Sequence, residues 1–278
     1  MSTPPVVLAA LDVEGALECA ALGPALIALG VDVQLAAADP RDRVLIERLL
    51  STPIAVKPLE PLIEEATYIV FASTDEVASR VAARIGHDSV LLRVTGIESF
   101  RAYRRGATRR FRAPAQLFLR SRLEMAELGD RTCEHIPSGV TFAAHTATKS
   151  GEQPVLFVPR SLENDPTLPQ WSGRASGYPV ALASIEELSG PVILPVCDEV
   201  AIFDALGTPY VLFDPNFDAA PFTRRWNESH QVEKSLDAVS ARLGAAAHNT
   251  SDPLVSLRDD SLTVSQWAGL FIQALQAE

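Results

Sequence analysis

The stretch Val6-Val-Leu-Ala-Ala-Leu-Asp-Val-Glu-Gly-Ala-Leu-Glu-Cys-Ala-Ala-Leu-Gly-Pro-Ala-Leu-Ile-Ala-Leu-Gly-Val-Asp-Val-Gln-Leu-Ala-Ala37 decides the fold class. Val6–Leu11 is apolar without interruption. Continuous rather than alternating apolarity is what a strand needs when both faces of its sheet are covered. From Glu14 to Leu29 the apolar residues at 17, 21, 22, 25, 26 and 29 follow helical spacing. Gly30 stands where a helix ends in a left-handed residue, and Val31–Ala37 resumes the strand pattern. Strand, helix, strand is the unit of a parallel sheet.

The rhythm continues outward. Arg41–Leu50 reads as an amphipathic helix with Pro40 near its start. Ile54–Val56 is a weak strand, Pro61–Ala66 a short helix and Tyr68–Ala72 a strand. Thr74–Ile85 is a helix capped by Ser73 or Thr74 and followed by Gly86, and Val90–Val94 is a strand. The segment Ser99–Gly129 differs, with arginines at 101, 104, 105, 109, 110, 112, 120 and 122. A helix is predicted over Pro114–Leu128, then a short strand and turn within Cys133–Val140. The polar run Thr146–Gln153 marks a boundary. Beyond it, Val155–Val158, Val180–Ala183, Val192–Val196 and Tyr210–Phe213 are predicted strands. Ile185–Leu188, Asp198–Leu206, Ser229–Leu243 and Ser261–Ala277 are predicted helices. The expectation is an α/β chain of two Rossmann-like domains, residues 1–147 and 148–278.

With 278 residues and 47% hydrophobic composition the chain can build two cores of this size. A net charge of -11 argues against a surface devoted to nucleic acid or anionic lipid, and leaves the arginine-rich 101–122 segment as a local basic patch. Cys19, Cys133 and Cys197 form no CxxC pair, so no zinc knuckle or disulfide framework is expected, and a reducing compartment is. His135 and His145, without a carboxylate partner, make no metal site, and no metal is expected. The first residues lack a basic n-region and no run of about 18 apolar residues occurs, so neither a secretory signal nor a membrane span is expected. The expected location is the cytoplasm, peripheral membrane attachment included.

Three turns carry candidate chemistry. In Val13-Glu-Gly-Ala-Leu-Glu18, Gly15 lets backbone approach a ligand and the helix start favours an anion, with Glu14 beside it. The same residues also fit an ordinary turn whose acids complement the helix dipole. In Leu92-Arg-Val-Thr-Gly-Ile-Glu98, Glu98 falls at the carboxyl edge of a strand, where a carboxylate can take a proton from a hydroxyl. A solvated loop glutamate is the plain alternative. In Cys197-Asp-Glu-Val-Ala-Ile-Phe-Asp-Ala-Leu-Gly207 a helix begins at Asp198. Its unpaired N–H groups suit a diphosphate, and Glu199 suits a ribose or sugar hydroxyl. Acids at a helix start also cap it.

Several pieces, in this order, resemble GT-B-fold glycosyltransferases, especially the family-4-like group. Glu14-Gly-Ala-Leu-Glu18 is a loose version of that group's Gly-Gly-Ala-Glu turn. Ile136-Pro-Ser-Gly-Val140 matches Ile-Pro-Asn-Gly-Val, which enters the C-terminal domain, with one change. Val158-Pro-Arg160 supplies the arginine of Val-Gly-Arg. Ala205-Leu-Gly-Thr-Pro-Tyr-Val211 matches Ala-x-Gly-Thr-Pro-Val-Val and also resembles a heptosyltransferase motif. The resemblance implies two domains facing across a cleft, the C-terminal one trimmed, with the last helix packing back on the first domain. It implies metal-independent transfer of a sugar from a nucleotide-diphosphate sugar to a hydroxyl acceptor, with no cofactor beyond that co-substrate. Arg160, Asp198, Glu199, Asp204 and Gly15 would bind the donor, and Glu98 and Glu14 would serve catalysis. The 101–122 arginines admit an anionic acceptor. The chain departs from the family in having no lysine soon after Arg160 and no pair of glutamates separated by seven residues, Glu199 being followed instead by Asp204. Alternatives are the same chemistry on a nucleic-acid base, a non-catalytic nucleotide-sugar-binding relative, and an unrelated two-domain α/β binder or an epimerase.

Overall fold

The computed structural model describes residues 5–50, 53–60, 66–72, 90–94, 116–119, 134–136, 155–157, 192–195, 200, 202–203, 210–213 and 262–276. The chain divides into two compact units, Met1–Val140 with Leu257–Glu278, and Thr141–Ser256.

In the first unit the described strands are β1 (Val6–Ala10), β2 (Val33–Ala37), β3 (Val56–Pro58), β4 (Thr67–Ala72), β5 (Val90–Val94), β6 (Gln116–Leu119) and β7 (Glu134–His135). They form one sheet in the order β3-β2-β1-β4-β5-β6-β7, every neighbouring pair parallel. β1 is buried along its whole length, which explains its unbroken apolar sequence. The order reverses at β1: the chain moves outward through β2 and β3, then restarts on the other side with β4. Such a switch point opens a crevice at the carboxyl ends of the two flanking strands.

The helices of this unit are α1 (Val13–Ala28), α2 (Pro40–Leu49) and α3 (Val264–Gln276). α1 ends in a Schellman arrangement. Val31 N–H donates to Leu26 O at 3.1 Å, Gly30 N–H donates to Ile27 O at 2.9 Å, and Gly30 has φ +86°. α1 also runs through Pro24, whose missing N–H forgoes one helical bond. α2 starts with Pro40 at its first position and Asp39 as N-cap, accepting from Arg41 N at 2.7 Å. α3 opens with a capping box: Gln266 N donates to Thr263 Oγ1 at 3.2 Å, and Thr263 N donates to Gln266 Oε1 at 3.0 Å.

α3 packs against α1 and buries Trp267, Ala268, Phe271 and Ala274. The rings of Trp267 and Phe271 meet edge to face at 6.0 Å. The last helix of the chain is thus part of the first unit's core.

One expectation is corrected. Residues 116–119, inside the helix predicted over Pro114–Leu128, are the strand β6, paired with β5 through Leu91↔Gln116, Leu92↔Leu117 and Arg93↔Phe118. A segment as short as Gln116-Leu-Phe-Leu119 has no period of its own, and the edge of β5 offers hydrogen bonds that a helix there would leave unmade.

In the second unit the described strands β8 (Val155–Leu156), β9 (Val192–Pro195) and β10 (Tyr210–Phe213) form a parallel sheet in the order β10-β9-β8. Val200, Ile202 and Phe203 are helical and buried. Phe203 meets Phe157 edge to face at 5.1 Å and Tyr210 at 6.0 Å. Each such pair adds about 0.5–1.5 kcal/mol beyond its buried area. The predicted elements Pro61–Ala66, Thr74–Ile85, Val180–Ala183, Ile185–Leu188 and Ser229–Leu243 fall wholly or almost wholly outside the described residues.

Candidate functional site

The switch point places the turn Leu11–Gly15 at the carboxyl end of β1. Leu11 N donates to Phe71 O at 2.9 Å, carrying the β1–β4 contact one residue past the end of β1. Asp12 then caps α1, its Oδ1 accepting from Gly15 N at 2.6 Å in a buried bond. The short distance is that of a charge-assisted bond. At Gly15 α1 lies close against β4. A Cβ there would sit 2.7 Å from Phe71 Cβ and 3.0 Å from Phe71 O. Gly15 therefore serves the approach of helix to strand, and its N–H, which the sequence offers to an anion, is held by Asp12.

The surroundings are acidic and dry. Asp12, Glu14, Glu18 and Asp42 are all buried, Glu18 and Asp42 completely. Glu14 is 1% exposed, and although it is engaged with other groups its Oε2 makes no hydrogen bond. Cys19 lies in the same region with no exposed surface. Burial, and then the neighbouring charges of Glu18, Asp12 and Asp42, push its thiol well above its ordinary pKa. The thiol stays protonated and is no nucleophile at neutral pH. A phosphate brought to this turn would meet the Asp12 carboxylate at the helix end in place of an open row of N–H groups. Among the described residues no group of three or more His, Cys, Asp or Glu is placed to hold a metal ion. No helix among them is long and apolar enough to cross a membrane.

Of the residues singled out from sequence, Glu14 and Gly15 fall in this turn. Glu98, Arg160, Asp198, Glu199 and Asp204 lie outside the described residues, as does the arginine-rich 101–113 segment. Sequence reasoning passed over Asp12, Glu18 and Asp42. For Asp12 a signal was present: an aspartate directly before a helical pattern is a capping residue. For Glu18 and Asp42 there was none, because burial of a carboxylate depends on what packs over its helix. No protein-family model matches the chain, and no curated protein matches it at a significant level.

Proposed function

We propose that the chain is a glycosyltransferase of the GT-B kind, moving a sugar from a nucleotide-diphosphate sugar to a hydroxyl acceptor without a metal. The observation that carries this reading is the path of the chain. The Ile136-Pro-Ser-Gly-Val140 motif ends where the first unit ends, a second parallel-sheet unit follows, and the last helix returns to pack on α1. GT-B chains, which the sequence resembles, take this path.

In this reading the donor diphosphate belongs to the second unit, and the self-capped start of α1 supports that division. Arg160 offsets the charge that grows on the diphosphate as the sugar bond breaks. The N–H groups of the helix start expected from sequence at Asp198 add to this, Glu199 and Asp204 hold ribose or sugar hydroxyls, and Gly15 maintains the turn against Phe71. Ala205-Leu-Gly-Thr-Pro-Tyr-Val211 leads into β10, beside the central strand β9. Glu98, four residues past β5, takes the proton of the acceptor hydroxyl, and Glu14 contributes negative potential near the cationic sugar of the transition state.

Isothermal titration of the full chain against the common nucleoside diphosphates tests this. One of them binds, and Arg160→Ala weakens it by roughly 10–100-fold, the range for a lost charge-assisted hydrogen bond. Glu98→Gln leaves binding intact and abolishes turnover. Absence of binding by all of them, or unchanged affinity in Arg160→Ala, overturns the reading. Binding without turnover in the unaltered chain favours a non-catalytic nucleotide-sugar-binding relative.

A further inference from the structure

The sheet of the first unit has two faces, and the register separates them. Val7 pairs with both Gln34 and Tyr68, and Ala36 pairs with Lys57, so these residues share one face. α1 covers the other face: a Cβ on Gly23 would touch Leu35 and one on Gly15 would touch Phe71, and both of those residues have the opposite parity. On the first face lies a cavity of about 230 Å³ lined by Val7, Gln34, Ala36, Lys57, Leu59 and Tyr68, among others.

From these features we infer a binding site for a small carboxylate with an apolar body. The floor is apolar and buried, with Val7, Ala36, Leu59 and Tyr68 all at most 9% exposed. The rim is polar on the side of the edge strand β3. There Lys57 Nζ donates to Gln34 Oε1 at 3.0 Å. That bond leaves the ammonium further N–H groups and, by occupying the amide oxygen of Gln34, leaves its amide nitrogen as a second donor at this rim. No acidic side chain is among the described lining residues. An apolar floor with two donors at one edge, one of them cationic, matches an anionic head on a hydrocarbon body. At about 30 Å³ per water-sized group the space holds roughly eight such groups. A neutral molecule of the same shape gains only the floor, and an amine is repelled by Lys57. The inference is independent of the sugar-transfer reading, because the cavity opens on the sheet face opposite α1.

Octanoate, 1-octanol and octylamine share one tail and serve as probes in isothermal titration of the full chain. Octanoate binds saturably at one per chain and at least tenfold tighter than octanol, and octylamine does not bind. Lys57→Met, an exposed position that keeps the side-chain stem, brings octanoate down to the affinity of octanol, with unchanged circular dichroism. Failure of octanoate to saturate at millimolar concentration, equal binding of octanoate and octanol, or an unaltered octanoate affinity in Lys57→Met overturns the inference.

Discussion

Three glycines on the helices of the first unit differ only in what a methyl group would meet there, and alanine at each gives a graded test of the packing. At Gly15 the new Cβ falls 2.7 Å from Phe71 Cβ and 3.0 Å from Phe71 O, with Asp12 Oδ1 at 3.1 Å. Phe71 Cβ and O are fixed to the backbone of β4, so the helix must lift. Overpacking of this kind costs about 1–3 kcal/mol, and disturbing the Asp12 cap adds about 1. Removing a helical glycine returns about 1 kcal/mol. The net expectation for Gly15→Ala is a loss of roughly 2 kcal/mol, the difference of those terms. At Gly23 the Cβ would lie 2.7 Å from Leu35 Cδ2. That atom ends a rotatable side chain, so the two effects nearly cancel. At Gly269 nothing lies within 4 Å, and Gly269→Ala gains up to about 1 kcal/mol. For a unit of this size 1 kcal/mol shifts the melting temperature by about 2–4 °C. The order of stability is therefore Gly269→Ala, then the unaltered chain and Gly23→Ala close together, then Gly15→Ala. Urea and thermal unfolding followed by Trp267 fluorescence, with Trp171 and Trp226 changed to phenylalanine, reports on the first unit alone. A Gly15→Ala chain as stable as its parent, alongside the expected gain at Gly269, would refute the close approach of α1 to β4.

Other outcomes follow from the same unit. Asp12→Ala removes the cap of α1 and costs about 1 kcal/mol in urea unfolding, while Asp12→Asn, whose amide oxygen still accepts from Gly15 N, retains most of it. Cys19 has a folded-state pKa raised by burial and by Glu18, Asp12 and Asp42. Its contribution is complete below the ordinary thiol value of 9.0 and is lost as pH climbs past it, because only the unfolded chain then releases the proton. Between pH 8 and 10 the unaltered chain therefore loses stability faster than Cys19→Ala, by up to about 1.4 kcal/mol per pH unit; parallel profiles would remove the effect. Ending the chain at Ser256 deletes α3 and exposes the surface that Trp267 and Phe271 bury. At about 3–5 kcal/mol for each large aromatic lost, the first unit no longer folds, which loss of cooperative melting checks.

The local features were legible. Gly30 ends α1, Pro40 opens α2, and β5 and β10 occupy the residues their apolar runs indicated, Val90–Val94 and Tyr210–Phe213. Each depends on the chemistry of a few adjacent residues: a left-handed φ, a fixed φ, or an apolar run too short for a helix. The candidate site was legible only in part. Position after β1 and the presence of Gly15 could be read, but Gly15 faces Phe71, more than fifty residues along the chain, and nothing near residue 15 announces that partner.

Sequence alone thus specified an α/β chain with parallel strands and the helices between the first of them, since hydrophobic period and caps act within one element. Tertiary structure decided the rest. It made residues 116–119 a strand by giving them the edge of β5, placed β1 between β2 and β4, and sealed Glu18 and Asp42 from water. It also brought α3 back to α1 across more than two hundred residues. Strand order, edge pairing and carboxylate burial are set by contacts between distant segments. Their free energies exist only once the segments have met, so no window of neighbouring residues contains them.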